Sequence, residues 1–138
     1  MSELHLGAVV RVRIQSSADI VTARQEGRTM ATTLGFTNTT LTIIATAISE
    51  VARNIVEYAK EGEISIAPVL NGTVRGLQIV ARDQGPGIVD LETAMRDGFS
   101  TSKSLGMGLP GAKRLMDQFE ISSAIGEGTT ITMTKWIG

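Results

Sequence analysis

Cysteine is absent from all 138 residues, and histidine occurs once. Without cysteine there are no disulfides, zinc fingers or thiol nucleophiles, and a single histidine argues against a protein-only zinc site. Neither sign of charge is in excess: 13 Lys and Arg face 14 Asp and Glu, for a net charge of −1. Proteins that hold nucleic acid in bulk carry a basic surplus, so that class is disfavoured. No run approaches the roughly 18 apolar residues of a membrane span. The N-terminus has neither the apolar run of a signal peptide nor an Arg-rich transit pattern. By elimination, a cytoplasmic location is expected.

What is present fits an ordinary globular protein, with 42% hydrophobic and 20% charged residues. No repeat, low-complexity tract or linker breaks the chain, so one domain over 1–138 is expected. Residues 8–14 alternate, with Val10, Val12 and Ile14 on one face and Arg11 and Arg13 on the other, which predicts a half-buried strand. Ser17 or Asp19 can cap a helix from about Ile20 to Leu34, and Gly35 can end it. A second helix is expected after Thr37-Asn38, running to about Lys60 on a stripe of Leu41, Ile44, Ile48, Val51, Ile55 and Ala59. Thr42, Thr46, Ser49, Arg53 and Lys60 lie opposite that stripe and are expected to face water.

Two strands near 63–70 and 74–82 follow, joined by a hairpin signal at Asn71-Gly72. A stretch rich in Gly, Ser and Thr from 84 to 107 is too long for a simple connection and reads as a functional lid or a disordered segment. A third helix near 109–119 and strands near 120–125 and 129–136, turning at Gly126-Glu127-Gly128, complete the chain. This order predicts an α+β two-layer sandwich, a mixed and mostly antiparallel sheet with helices on one face.

Glu50 and Asn54 sit four apart, so they project from one face of the second helix at the border of its apolar stripe. Asn is a poor mid-helix residue and asks for a reason. Its amide oxygen can complete the shell of a Mg²⁺ ion that keeps phosphates as co-ligands, and a carboxylate one turn away can accept a hydroxyl proton. Taken alone, the pair also fits a boundary Glu held by Arg53 and an Asn bonded to backbone. Asp83 shares the parity of Leu77, Ile79 and Ala81 and points to the core side. A buried carboxylate needs a donor, and the exocyclic amine of adenine is one. Gly85 and Gly87 allow close approach to a flat ring, although an Asp that caps its own turn has the same sequence. Thr129 has the parity of Ile131 and Met133, so its hydroxyl can join Asp83 around a base; an ordinary strand Thr is the rival reading. Gly106, Gly108, Leu109 and Pro110 open the third helix, whose N-terminus suits phosphate. Lys103 in the lid can reach a phosphate tail, and Gly98, Gly106 and Gly108 can act as hinges, although a lone loop Lys is usually solvated. The loop G-x-x-x-x-G-K-[ST] and the triplet Asp-Phe-Gly are both missing. ATP would therefore bind neither as in P-loop proteins nor as in eukaryotic-type kinases.

Ser49-Glu50-Val51-Ala52-Arg53-Asn54, Asp83-Gln84-Gly85-Pro86-Gly87, Gly106-Met107-Gly108-Leu109 and Gly126-Glu127-Gly128-Thr129 stand in the order of the four boxes of the GHKL ATPase and kinase superfamily. The chain resembles that superfamily over nearly its whole length. The resemblance implies the Bergerat ATP-binding fold, with Glu50 and Asn54 from the first box, Asp83, Gly85 and Gly87 from the adenine box, and Gly106, Gly108 and Leu109 from the lid box. Sensor histidine kinases carry an added phosphoacceptor domain, and here the one His, His5, lies in an N-terminus expected to fray. The compact serine kinases of the anti-sigma type remain. Ile20-Val21-Thr22-Ala23-Arg24-Gln25, Asp97-Gly98-Phe99-Ser100-Thr101-Ser102, Gly111-Ala112-Lys113-Arg114-Leu115-Met116-Asp117 and Lys135-Trp136 resemble the switch kinases of stressosomes. That resemblance implies a protein-serine/threonine kinase using ATP and Mg²⁺, acting on STAS-domain scaffold proteins of the RsbS and RsbR type. Once released, such a kinase activates an effector such as an RsbU-like phosphatase. The rivals are an anti-sigma module that sequesters a sigma factor and an ATPase with no protein acceptor.

Overall fold

The computed structural model describes residues 4–5, 8–85 and 108–137. Strand β1 (Leu4–His5) and strand β2 (Val10–Ile14) lead into helix α1 (Ser17–Leu34) and helix α2 (Asn38–Asn54). Strands β3 (Gly62–Asn71) and β4 (Val74–Asp83) form a hairpin. Helix α3 (Gly108–Leu115) precedes strands β5 (Gln118–Ala124) and β6 (Gly128–Trp136). The sheet order is β1-β3-β4-β6-β5, with β2 sharing the β3 edge with β1. Every described strand pair is antiparallel. The α+β reading therefore stands, while the parallel component that a mixed sheet requires is not found among the described residues. His5 does not fray as a lone terminus: its backbone pairs opposite Val69.

The strand pattern works as the alternation predicts. Val12, Ile14, Ile64, Ile66, Leu77, Ile79, Ala81, Ile131 and Met133 form one face, buried against Ala23, Ile44, Ile48, Val51 and Leu109 from the helices. Each buried Ile or Leu contributes about 1.5–3 kcal/mol over its exposed state. The outer face carries charge instead, including the exposed pairs Arg13–Glu61 at 3.1 Å and Arg11–Glu63 at 3.9 Å.

Helix α3 stops at Leu115 rather than near 119, so β5 starts at Gln118, and four further local details differ from expectation. Helix α1 begins at Ser17 because Asp19 reaches back, its Oδ2 accepting the Gln15 and Ser16 N–H groups at 2.8 and 3.1 Å. That satisfies two donors and places an anion at the helix start. The β3–β4 turn residues are Gly72-Thr73, since Asn71 pairs with Val74. Gly72 alone has positive φ there, at 65°, as a II′ hairpin requires. Ser49 does not face water: it is buried, and its Oγ donates to the Ala45 carbonyl at 2.9 Å. The cause is α2's position between α1 and α3, which buries Ala45, Ala47 and Ala52 together with the apolar stripe. Finally, α-helical geometry stops at Asn54, and Ile55–Ala59 continue as one π-helical turn rather than an α-helix to Lys60.

Candidate functional site

The β-sheet register builds the site's floor. One row runs across five strands on the helix-facing side: Ile14, Gly62, Asp83, Thr129 and Ser123. The two rows beside it, Val12–Ile64–Ala81–Ile131–Ile121 and Val10–Ile66–Ile79–Met133–Phe119, are apolar throughout, so three adjacent polar side chains at this end mark a boundary between core and site. Asp83 is 8% exposed and Thr129 5%. Asp83 Oδ1 accepts the Gly85 N–H at 2.9 Å and the Thr129 N–H at 3.3 Å. Both bonds fall on Oδ1, and among the described residues Oδ2 accepts none. The turn-capping and ligand readings of Asp83 are thus compatible: one oxygen fixes the turn while the other is free to meet a donor. Thr129 engages Asp83 through its backbone, contrary to the expected use of its hydroxyl. That hydroxyl lies 2.8 Å from Ser123 Oγ.

Two glycines allow the backbone to close here. A Cβ on Gly85 would come within 2.7 Å of the Ala59 Cβ, so the turn after β4 packs directly on the π-helical segment. Gly128 has φ 91°, and a Cβ there would collide with the Asp83 carbonyl oxygen.

Helix α2 supplies the second wall. Glu50 is 6% exposed. Its Oε1 accepts from Arg53 Nη1 at 2.8 Å and its Oε2 from the Gly108 N–H at 2.7 Å. These are short charge-assisted bonds, and a carboxylate this buried is costly without such partners. Gly108, with φ 69°, is the first residue of α3, and Leu109 and Pro110 follow in the first turn. Glu50 therefore sits as an anion at the N-terminus of that helix. The far end of α3 is secured by Lys135, whose Nζ donates to the Leu115 carbonyl at 3.1 Å and meets Asp117 at 3.3 Å.

Asn54 is half-buried, one turn beyond Glu50, at the junction where α geometry becomes π. Its side chain makes no hydrogen bond among the described residues, so the backbone-bonded alternative does not hold there. A π turn after Asn54 re-aims the following residues and is frequent at functional sites. The turn ends at Lys60, a non-glycine residue with φ 75°, a conformation that costs about 1–3 kcal/mol.

The structure thus brings together Glu50, Asn54 and Gly108 on one side, with Leu109 buried beside them, and Asp83, Gly85 and Thr129 on the other. Gly87, Lys103 and Gly106 lie outside the described residues. Arg53, with 31% of its side chain exposed, is the ion partner of Glu50, the pairing that the alternative reading of Glu50 allowed. Ser123 escaped the sequence reading. Its signal was available: it shares parity with Phe119 and Ile121, and pairing through the Gly126-Glu127-Gly128 turn sets it opposite Thr129.

Residues 15–135 match the sequence family described as the histidine kinase-like ATPase domain. That match covers both walls of the site. The chain belongs to the histidine kinase-like ATPase family. Within the family, it is 55% identical to the serine/threonine-protein kinase RsbT of Bacillus subtilis (strain 168), over 91% of this chain and 95% of that protein. It is 35% identical to an anti-sigma F factor of Thermoanaerobacter sp. (strain X514), over 69% of each chain. Among solved structures, that of the RsbU and RsbW domains of Rv1364c from Mycobacterium tuberculosis aligns with a TM-score of 0.67 at 19% identity. It covers 96% of this chain and 34% of that one, and it supports the fold alone. The family's ATP-binding fold is therefore the one in which the Glu50 and Asp83 walls stand.

Proposed function

We propose that this chain is a cytoplasmic protein serine/threonine kinase of a partner-switching pathway, acting as a single ATP-binding domain. It transfers the γ-phosphoryl group of ATP to STAS-domain scaffold proteins of the RsbS and RsbR type. When released from them, it activates an effector such as an RsbU-like phosphatase. Protein-kinase activity is carried by one observation above the others: 55% identity to RsbT across almost the full length of both chains. Among the described residues, no helix is long and apolar enough to cross a membrane.

The residues divide the work by their chemistry. Asp83 Oδ2 accepts the adenine amine, and Gly85, pressed against Ala59, keeps side-chain bulk away from the ring plane. Glu50 accepts the proton of the incoming Ser or Thr hydroxyl; Arg53 holds one of its oxygens, so the carboxylate presents a fixed direction. Phosphoryl transfer depends on alignment and charge neutralisation more than on covalent help. Gly108, Leu109, Gly106 and Lys103 are assigned to the phosphate tail. Mg²⁺ fits the Asn54 amide oxygen, an oxygen donor half-buried beside Glu50, because this ion usually takes one or two protein ligands and keeps its phosphates. When bound, it supplies neutralisation of phosphate charge.

The test is the intact mass of a STAS-domain partner incubated with this protein and Mg-ATP, beside a Glu50→Ala control. One added phosphate that requires Glu50 is expected. A partner that binds stably yet gains no mass overturns the kinase reading. The relatives named anti-sigma F factor favour a second reading, a module that sequesters a sigma factor under nucleotide control. Co-purification with a sigma factor rather than a STAS protein would select it.

A further inference from the structure

The polar row at the end of the sheet has a direction that neither the boxes nor the fold specify. Ser123 Oγ donates its hydrogen to the Gly128 carbonyl at 3.1 Å. A serine hydroxyl has one proton and two lone pairs. Its 2.8 Å contact with Thr129 Oγ1 can run either way on distance alone, but with the Ser123 proton on the Gly128 carbonyl, Ser123 accepts and Thr129 donates. Thr129 then has no proton left to offer, and its hydroxyl can only accept. Its neighbour in the row, Asp83, is acceptor-only whenever it is ionised.

We infer that Ser123, through Thr129, is a purine-selecting residue: it withdraws the Thr129 proton and makes this corner of the site a pure hydrogen-bond acceptor. The inference rests on the ATP-site reading above and deepens it. A 6-aminopurine brings an N–H donor to two acceptors. A 6-oxopurine brings a carbonyl at C6, so three acceptors meet at that position with no proton among them, its N1–H lying one ring atom away. Leaving buried polar groups unpaired is what rejects an analogue strongly, more than small differences in fit. Ser123 touches no part of the base in this account; it positions a proton. Its place on β5, paired opposite Thr129, makes that possible.

The test is direct binding of ATP and of inosine triphosphate, which replaces the C6 amine by a carbonyl, carries a proton on N1, and shares the ribose and triphosphate. The quantity read is the ratio of the two affinities, which partial misfolding lowers on both sides alike. The unsubstituted protein is expected to prefer ATP. Ser123→Ala frees the Thr129 hydroxyl to rotate and donate to the carbonyl, and should narrow the ratio by about tenfold, the effect of one hydrogen bond. Ser123→Thr, which keeps a hydroxyl, should hold the original ratio. In a Thr129→Val background, Ser123→Ala should change nothing further, which a general loosening of the β5–β6 hairpin would not reproduce. An unchanged ratio in Ser123→Ala, or a narrowing that persists without the Thr129 hydroxyl, overturns the proton relay while leaving the ATP site in place. Equal affinity for both nucleotides in the unsubstituted protein removes the adenine reading itself, and the relay with it.

Discussion

Thr37 and Asn54 lie about 25 Å apart along α2, and the chain around each is built differently. Thr37 takes an extended conformation and caps the helix, its hydroxyl accepting the Thr40 N–H at 3.3 Å. The residues that follow bury Leu41 and Ile44 in ordinary α geometry. A cavity of about 220 Å³ opens beside this end, lined in part by Phe36, Thr37, Thr40 and Trp136. Its polar groups are spoken for: Thr37 pairs with Thr40, and Lys135 with Asp117. At Asn54 the helix turns to π geometry, a half-buried amide has no partner among the described residues, and the segment ends on the positive φ of Lys60. The contrast shows that open volume alone does not mark a site. Departures from local rules do, because strain and unpaired polar groups persist only where the surrounding structure holds them for a purpose.

Substitutions at the two ends should break the protein in different ways. Glu50→Gln keeps an acceptor for the Gly108 N–H but removes the proposed base, so phosphoryl transfer should fall by at least about 10²-fold. A single-turnover assay checks this, with nucleotide affinity measured alongside and expected to hold. Ile44→Ala, at the regular end, should cost about 2–5 kcal/mol of unfolding free energy in denaturant titration. Its folded fraction should still bind ATP normally. Lys60→Gly relieves the left-handed conformation and should gain about 1 kcal/mol; a melting temperature that falls would mean that the Lys60 backbone is not strained.

The smallest expected effect lies beside Lys60. The Gln15 side-chain hydrogen bond, and then the Arg13 hydrogen bond and charge, hold the Glu61 carboxyl below its ordinary value. A depressed carboxylate stabilises the fold above its unfolded pKa, and that contribution is lost as pH falls through the folded value. Glu61→Gln should therefore flatten the acid-side decline of stability slightly and leave neutral-pH transfer unchanged. Glu61 is fully exposed, so solvent screening keeps the effect small.

The same contrast explains what was legible in the sequence. Periodicity placed the buried faces of β2, α2, β4 and β6, because a two-layer fold translates apolar spacing directly into burial. Glu50, Asn54 and Asp83 stand out in the sequence because each is a polar residue at the edge of an apolar pattern and lies in one of the superfamily's boxes. What escaped depends on neighbours distant in the chain. Ser49 was expected to face water, yet α3 docks on α2, and Gly108 meets Glu50 across 58 positions. The π turn leaves no mark in residue type, since Ile55 and Ala59 continue the helical stripe. Ser123 required the exact count of the β5–β6 turn, and its role follows from where a proton goes rather than from any motif.

The proposed division of labour between the two walls is open to one direct test. Isothermal titration of Mg-ATP into the unsubstituted protein, Asp83→Asn and Glu50→Gln tests it in one series. Asp83→Asn should weaken binding by about 10- to 100-fold, the effect of a hydrogen bond to a charged group, while Glu50→Gln binds as the unsubstituted protein does. Normal ATP affinity in Asp83→Asn would contradict the assignment of the adenine wall.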